Sequence, residues 1–239
     1  MSDPAIHVQD VSLRFSSGSE AVTALDGVSV AFGHGEFVAV MGASGSGKTS
    51  MLHVIAGLEV PDSGVVRVAD ADLAGLGANA RADVRLHEIG LVFQDDNLLP
   101  MLTAQENVAL PLRARGWTAA QAAEEADAWL GRVGLAGMEG RRPVELSGGQ
   151  RQRVGIARAV AGGRRILLAD EPTGALDSVT TREILSLLRA LADDGVCVVV
   201  VTHDDVVRDY ADHVWTMSDG RLSGGTDTSA SALTTGSHA

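Results

Sequence analysis

The 239-residue chain has a single cysteine, a single lysine and no apolar run long enough to cross a membrane. Its best late apolar stretch, residues 196–201 (VCVVVV), falls far short of the roughly 20 residues a spanning helix needs and reads as a buried strand. Cys197 sits inside that stretch; with no second cysteine it forms no internal disulfide, and its expected role is packing. The first ten residues, MSDPAIHVQD, carry neither a basic head nor an apolar run, so no secretory leader is read and the chain is expected to stay in the cytoplasm. Basic residues number 19 against 31 acidic ones, a formal net charge of −12. That balance argues against general nucleic-acid binding, which needs a positive face, without excluding a local basic patch. No internal repeat is found, so one module is expected.

What is present is apolar enough, at 45%, for a sizeable core, and the length allows one large domain or a domain with an inserted lobe. Residues 6–15 and 24–32 read as strands separated by a turn over 16–20. Residues 36–41 (EFVAVM) form a short apolar strand that runs straight into a glycine-rich loop, and 48–56 have helical spacing. Further strands are expected at 65–68, 89–93, 166–169, 196–201 and 214–217, with helices at 119–133 and 180–192. Between 95 and 162 alanine, glutamate and arginine dominate, as in a mostly helical insertion. Strands alternating with helices predict an α/β fold with a parallel or mixed sheet. The organisation read from this is one domain over 1–222, with a core over about 1–94 and 163–222 and a helical lobe over about 95–162. The small, polar segment 223–239 is expected to be a disordered tail.

Two segments carry chemistry. Residues 42–49 read GASGSGKT, the P-loop pattern, placed between a strand and a helix. Glycines there let backbone amides wrap phosphates without Cβ clashes, and the helix that follows points its positive end at them. Lys48, the one lysine of the chain, is expected to neutralise β- and γ-phosphate charge, and Thr49 to ligate Mg²⁺. The expected nucleotide contacts are Gly42, Ala43, Ser44, Gly45, Ser46, Gly47, Lys48, Thr49 and Ser50. Residues 166–171 read ILLADE: a buried strand delivers two carboxylates at its carboxyl end. Alone this is as readily an acidic turn. Beside a P-loop, Asp170 is placed to hold Mg²⁺ through a water and Glu171 to polarise an attacking water.

With these motifs, LSGGQRQR at 146–153 gives the chain a resemblance to the nucleotide-binding subunits of ABC transporters, over roughly 5–222. The resemblance implies a P-loop NTPase core with a mixed sheet and an inserted helical subdomain, ATP and Mg²⁺ as ligands, and a homodimer that forms on ATP binding. It implies that Ser147, Gly148 and Gly149 contact the γ-phosphate held by the partner's P-loop. A serine and two glycines before a helix are also, physically, an anion-binding nest. By the same resemblance Gln94 contacts Mg²⁺ and water and senses the transmembrane partner. His203 is a switch histidine beside Glu171, and Asp177 lies on a loop, GALD, that crosses the dimer interface. Phe15 stands where the family stacks an aromatic, often tyrosine, on adenine; stacking needs no hydroxyl. The catalytic set is thus Glu171, His203, Lys48 and Gln94, and the metal set Thr49, Gln94 and Asp170.

The stretch 94–112, QDDNLLPMLTAQENVALPL, is similar to a segment of the lipoprotein-releasing, macrolide-export and cell-division ATPase group. Asp95 and Asp96 depart from it, since a hydrophobic or aromatic residue is frequent there; the change either tunes the membrane partner or is neutral. The resemblance implies a motor, peripheral on the inner face of the membrane, for an exporter or force-transmitting complex whose permease is a separate chain, with no nucleic-acid partner. Competing readings are an uptake ATPase, a repair or translation ATPase, and a degenerate nucleotide-binding regulator. Repair members insert coiled coils or zinc sites between the two nucleotide motifs, and translation members carry two modules; neither feature is seen here. A degenerate regulator would have lost Lys48, Glu171 or His203, and all three are present.

Overall fold

The computed structural model describes residues 3–17 and 20–227. Among the described residues the fold has two sheets and six α-helices. The first sheet is antiparallel. Strands β1 (Ile6–Ser17) and β2 (Glu20–Phe32) pair as a long hairpin, and β1 also pairs with β4 (Ser63–Val68), which pairs with the short β5 (Ala71–Asp72). The second sheet has the order β10-β9-β3-β8-β7-β6, from Arg221–Asp227, His213–Ser218, Phe37–Met41, Cys197–Thr202, Ile166–Asp170 and Ile89–Val92. Its strands β9, β3, β8, β7 and β6 are parallel, with β6 at one edge, and β10 is the antiparallel opposite edge.

The parallel strands are continuous apolar runs because both faces are covered. Every residue of β3 and β8 is buried. Alternation then sorts their side chains. Val38 and Val40 pack with the antiparallel sheet and helix α1 (Lys48–Ile55), whereas Phe37, Ala39 and Met41 pack with Ile184, Leu185 and Leu188 of α6 (Ser178–Asp193). A third cluster lies in the helical lobe, where Val108 and Leu112 of α3 (Ala104–Ala114), Ala126 and Leu130 of α4 (Ala119–Arg132) and Val154 and Ala157 of α5 (Gly148–Val160) are all buried. α3, α4 and α5 each begin with a capping box, at Thr103, Thr118 and Ser147. Gly90 of β6 is required by close approach: a Cβ there would sit 2.2 Å from the Ala159 carbonyl of α5.

Three differences from the sequence reading stand out. β1 continues to Ser17 and β2 starts at Glu20, so the hairpin strands occupy most of the expected turn. Helix α2 (Ala78–Glu88) was not anticipated; none of its residues is buried, which leaves no apolar stripe to read. The tail expected from 223 is corrected over its first part: Ser223, Gly224 and Gly225 continue β10, which pairs with β9 as far as Asp227. The rest of that expected tail, 228–239, lies outside the described residues. Cys197 is fully buried, and burial pushes its thiol up to about 12, with Glu36 adding to the shift, so packing is its role.

Candidate functional site

Four parallel strands end on the same side, as ligand sites of open α/β sheets require. β3 runs into the 42–49 loop, β7 ends at Asp170 with Glu171 next, β8 ends at Thr202 with His203 next, and β6 is followed by Phe93 and Gln94. Register fixes their height: Met41 is level with Thr202, and Asp170 with Val201. The result is an open cleft of about 910 Å³. It is lined by Ala43, Ser44, Gly45, Gly47, Lys48, Thr49 and Ser50, by Gln94, Asp170, Glu171 and His203, and by Phe15 at one end.

The loop is shaped by its glycines. Gly47 caps α1 with φ 109°, and a Cβ on it would lie 2.4 Å from the Ala24 carbonyl of β2. A Cβ on Gly42 would meet the Met217 carbonyl at 2.2 Å. Backbone bonds hold the loop from outside: the Gly220 amide donates to the Ser46 carbonyl (2.9 Å), and the Asp26 amide donates to the Gly220 carbonyl (2.9 Å). Gly220 belongs to the turn between β9 and β10, so the last hairpin braces the loop.

Lys48 is only 7% exposed, and its ammonium donates to the Gly42 (2.7 Å) and Ala43 (2.9 Å) carbonyls. Both partners are carbonyls rather than carboxylates, which leaves a buried positive charge at the cleft wall. Ser46 Oγ is buried without a hydrogen-bond partner. Burial holds the Asp170 carboxyl above the usual carboxylate range, while the Thr49 hydroxyl, His53 and Lys48 pull it down. An anion at the loop and a divalent cation between Thr49 and Asp170 would satisfy these three groups together. Among the described residues no group of three or more His, Cys, Asp or Glu side chains makes a metal cage. A single carboxylate with a hydroxyl fits Mg²⁺ shared with a bound phosphate.

Glu171 is held twice. The Thr202 hydroxyl donates to its Oε2 (2.8 Å), and His203 Nδ1 lies 2.8 Å from Oε1. Its backbone has φ 47°, a left-handed conformation kept by its amide donating to the Val201 carbonyl and by its carbonyl accepting from the Gly174 amide. Thr202 is itself fixed, since its hydroxyl accepts from the Asp204 amide (3.0 Å). Thr202 was not picked out from sequence. Its signal was a hydroxyl ending an otherwise apolar buried strand, because a buried polar group must find a partner. The side chain of His203 is largely exposed, and its pKa is raised by the hydrogen bond and charge of Glu171. The shift favours the imidazolium relative to a free histidine, so the stabilisation from the His203–Glu171 pairing is fully present below the ordinary histidine pKa of about 6.5 and is lost as pH rises through the higher folded value. An imidazole titration followed by NMR is expected to find His203 above the free value, and Glu171→Gln to bring it back down. An unchanged midpoint in that variant would remove Glu171 as the cause.

Not every expected residue joins the cleft. Ser147, Gly148 and Gly149 lie at the head of α5, outside it. Ser147 Oγ accepts from the Gln150 amide (3.3 Å), and Gln150 Oε1 accepts from the Ser147 amide (2.9 Å). Asp177 caps α6, accepting from Val179, Thr180 and the Thr180 hydroxyl, which together hold its carboxyl low. The two helix heads touch: a Cβ on Gly149 would meet Thr180 Cγ2 at 2.4 Å, and one on Gly148 would meet Leu176 at 3.4 Å. Phe15 does reach the cleft; it is 42% exposed and pairs in register with Val22, which is 60% exposed, forming an apolar shelf.

Comparison with known proteins agrees with this geometry. The ABC transporter family model matches residues 25–174. The macrolide export ATP-binding/permease protein of Burkholderia thailandensis is 42% identical over 224 residues, 94% of this chain and 34% of that protein. The pyoverdine export ATP-binding/permease protein of Pseudomonas fluorescens is 44% identical over 223 residues, 93% of this chain and 34% of that protein. The chain therefore spans about a third of the length of the curated relatives it matches. Among solved structures, a dimeric ATP-binding cassette in a post-hydrolysis state with ADP and Pi superposes with a TM-score of 0.86 at 38% identity, covering 93% of this chain and 98% of that one. A dimeric bacterial ABC transporter cassette superposes with the same score at 39% identity, with the same coverage.

Proposed function

We propose, for a chain that belongs to the ABC transporter family and is an ATP-hydrolysing cassette of it, that two copies close head to tail on two ATP molecules and so drive a membrane exporter. The observation that carries this reading is the separation of two phosphate-binding backbones on one chain. The 42–49 loop shares its cleft with Glu171 and His203, whereas Ser147, Gly148 and Gly149 head a helix outside that cleft. A second copy supplies the missing half of each site, in keeping with the two dimeric cassettes.

In this mechanism Phe15 stacks on the base, and the 42–49 amides with Ser50 and Lys48 bind the phosphates. Thr49, Gln94 and Asp170 would hold Mg²⁺, which neutralises phosphate charge when bound. Glu171, oriented by Thr202 and His203, accepts a proton from the attacking water. Lys48 and the partner copy's signature amides stabilise the charge that develops on the transferred phosphoryl group. Asp177 lies at the seam between the copies. Gln94 and the segment after it pass closure on to a permease. The chain then works on the inner face of the membrane, and none of its described helices is long and apolar enough to cross one.

Export is the direction favoured by the two relatives, both of which are export proteins. The test is affinity purification from detergent-solubilised cells, with ATP and Glu171→Gln to hold the closed dimer. Recovery of a permease with four spans and a large extracytoplasmic domain, or of an eight-to-ten-span permease, supports an exporter or force-transmitting complex. A six-span permease with a solute-binding protein would redirect the reading to uptake. Recovery of soluble repair or ribosomal factors alone would overturn transport and leave the ATPase standing.

A further inference from the structure

The segment that follows β6 is gripped by α5 along one helical face. The Arg151 guanidinium donates through Nε to the Asp96 carboxylate at 2.8 Å, and through Nη1 to the Leu146 carbonyl at 2.9 Å. Arg158, two turns on, donates to the backbone carbonyls of Asp96 (2.8 Å) and Asn97 (2.7 Å). Gln152 donates to the Phe93 carbonyl at 3.3 Å. Between these arginines Gly155 lies against the segment, its Cβ position 3.6 Å from the Asp96 carbonyl, an ordinary van der Waals contact. Asp96 and Asn97 both take left-handed backbone conformations, φ 36° and 47°, which aspartate and asparagine tolerate better than most residues.

The two ends of this grip belong to different ATP sites under the reading above. Gln94, two residues before Asp96, lines the cleft of its own chain. Arg151 is four residues after Ser147, at the head of the helix whose amides would serve the partner's nucleotide. A packed helix moves as a unit, so a displacement of the 94–97 segment is handed to Ser147, Gly148 and Gly149.

We propose that Asp96 is a positioning residue that couples the two halves of the composite site. Its carboxylate ties the segment after Gln94 to the signature helix, so that filling one cleft sets the helix for the other. This rests on the head-to-tail reading. It also gives the acidic residue at this position a role inside the cassette, distinct from contact with a membrane partner.

The experiment follows ATP-driven dimerisation of the 239-residue chain by analytical ultracentrifugation in a Glu171→Gln background. Binding of a fluorescent ATP analogue to the monomer is measured alongside. Asp96→Ala is expected to raise the ATP concentration for half-maximal dimerisation about tenfold, with monomer binding unchanged. Arg151→Ala should do the same, the double variant should be no worse than either single, and the exchange of Asp96→Arg with Arg151→Asp should recover part of the loss. Additive single effects, or a dimerisation midpoint unmoved in Asp96→Ala, would overturn the coupling while leaving the dimer intact. Weakened monomer binding in Asp96→Ala would also overturn it, because the residue would then act on its own cleft alone. If the Glu171→Gln parent stays monomeric at saturating ATP, the head-to-tail reading itself fails and the coupling falls with it.

Discussion

Glu171→Gln is expected to lower the rate of phosphate release by about 10²- to 10⁴-fold while leaving nucleotide affinity close to that of the parent. The substitution keeps the side chain's shape. The amide oxygen can still accept from the Thr202 hydroxyl, which lies 2.8 Å from the carboxylate now, so the strand ends stay in place. What disappears is the group able to take a proton from water, together with the anion that favours the charged form of His203. Steady-state phosphate release with ATP and Mg²⁺, set beside equilibrium binding of an ATP analogue, separates the two effects. A rate within tenfold of the parent would show that another group, or the phosphate itself, accepts the proton. Because the left-handed backbone at Glu171 is preserved by bonds to Val201 and Gly174, and not by the side chain, the fold should be indifferent to the change.

The second large effect is at Lys48. Lys48→Ala is expected to weaken ATP binding by about 10²-fold or more, since charge-assisted hydrogen bonds to phosphate are each worth about 1.5–3 kcal/mol. Stability without nucleotide should change little. The loss of two hydrogen bonds to carbonyls is offset by removal of a buried cation that has no carboxylate partner. Lys48→Arg is the sharper control. A chain with 19 basic residues, of which one is lysine, uses arginine almost everywhere else. Yet a planar guanidinium does not fit a pocket closed by the Gly42 and Ala43 carbonyls, so the arginine variant should also bind poorly. Titration of a fluorescent ATP analogue in Mg²⁺, with and without competing ATP, gives both values. Affinity within threefold of the parent for either variant would mean that the loop amides, and not the ammonium, hold the phosphates.

How much of this could be read in advance depended on the range of the interaction. The 42–49 loop and Glu171 were legible because their chemistry is written in contiguous residues, and because β3 and β7 are short buried runs that need no partner to be recognised. Gln94 and His203 needed the family resemblance, since a glutamine or histidine at a strand end has no local signature. Helix α2 escaped because none of its residues is fully buried, and Val84 alone packing partly against the core gives no apolar stripe. The strand pairing of Ser223, Gly224 and Gly225 escaped because a Gly/Ser composition gives no alternation to follow; it is the neighbouring β9 that orders them. The Asp96–Arg151 ion pair joins residues 55 positions apart, and no pattern of spacing announces such a contact. Asp96 was noticed only as a departure from its relatives, whereas its partner gives the departure a physical content.

The bracing of the 42–49 loop by the turn at Gly220 has a consequence for synthesis. The loop leaves the ribosome before β8, β9 and the turn that secures it have been translated. Until they arrive, β3 has no neighbour on either side, the Ser46 carbonyl has no Gly220 amide, and Glu171 has no Thr202 or His203. A nascent chain can therefore present the phosphate-binding sequence before it has the geometry that uses it. Competence for ATP turnover is acquired only when β8, β9 and that turn dock, and a chain interrupted before that step would be inert rather than an uncontrolled consumer of ATP.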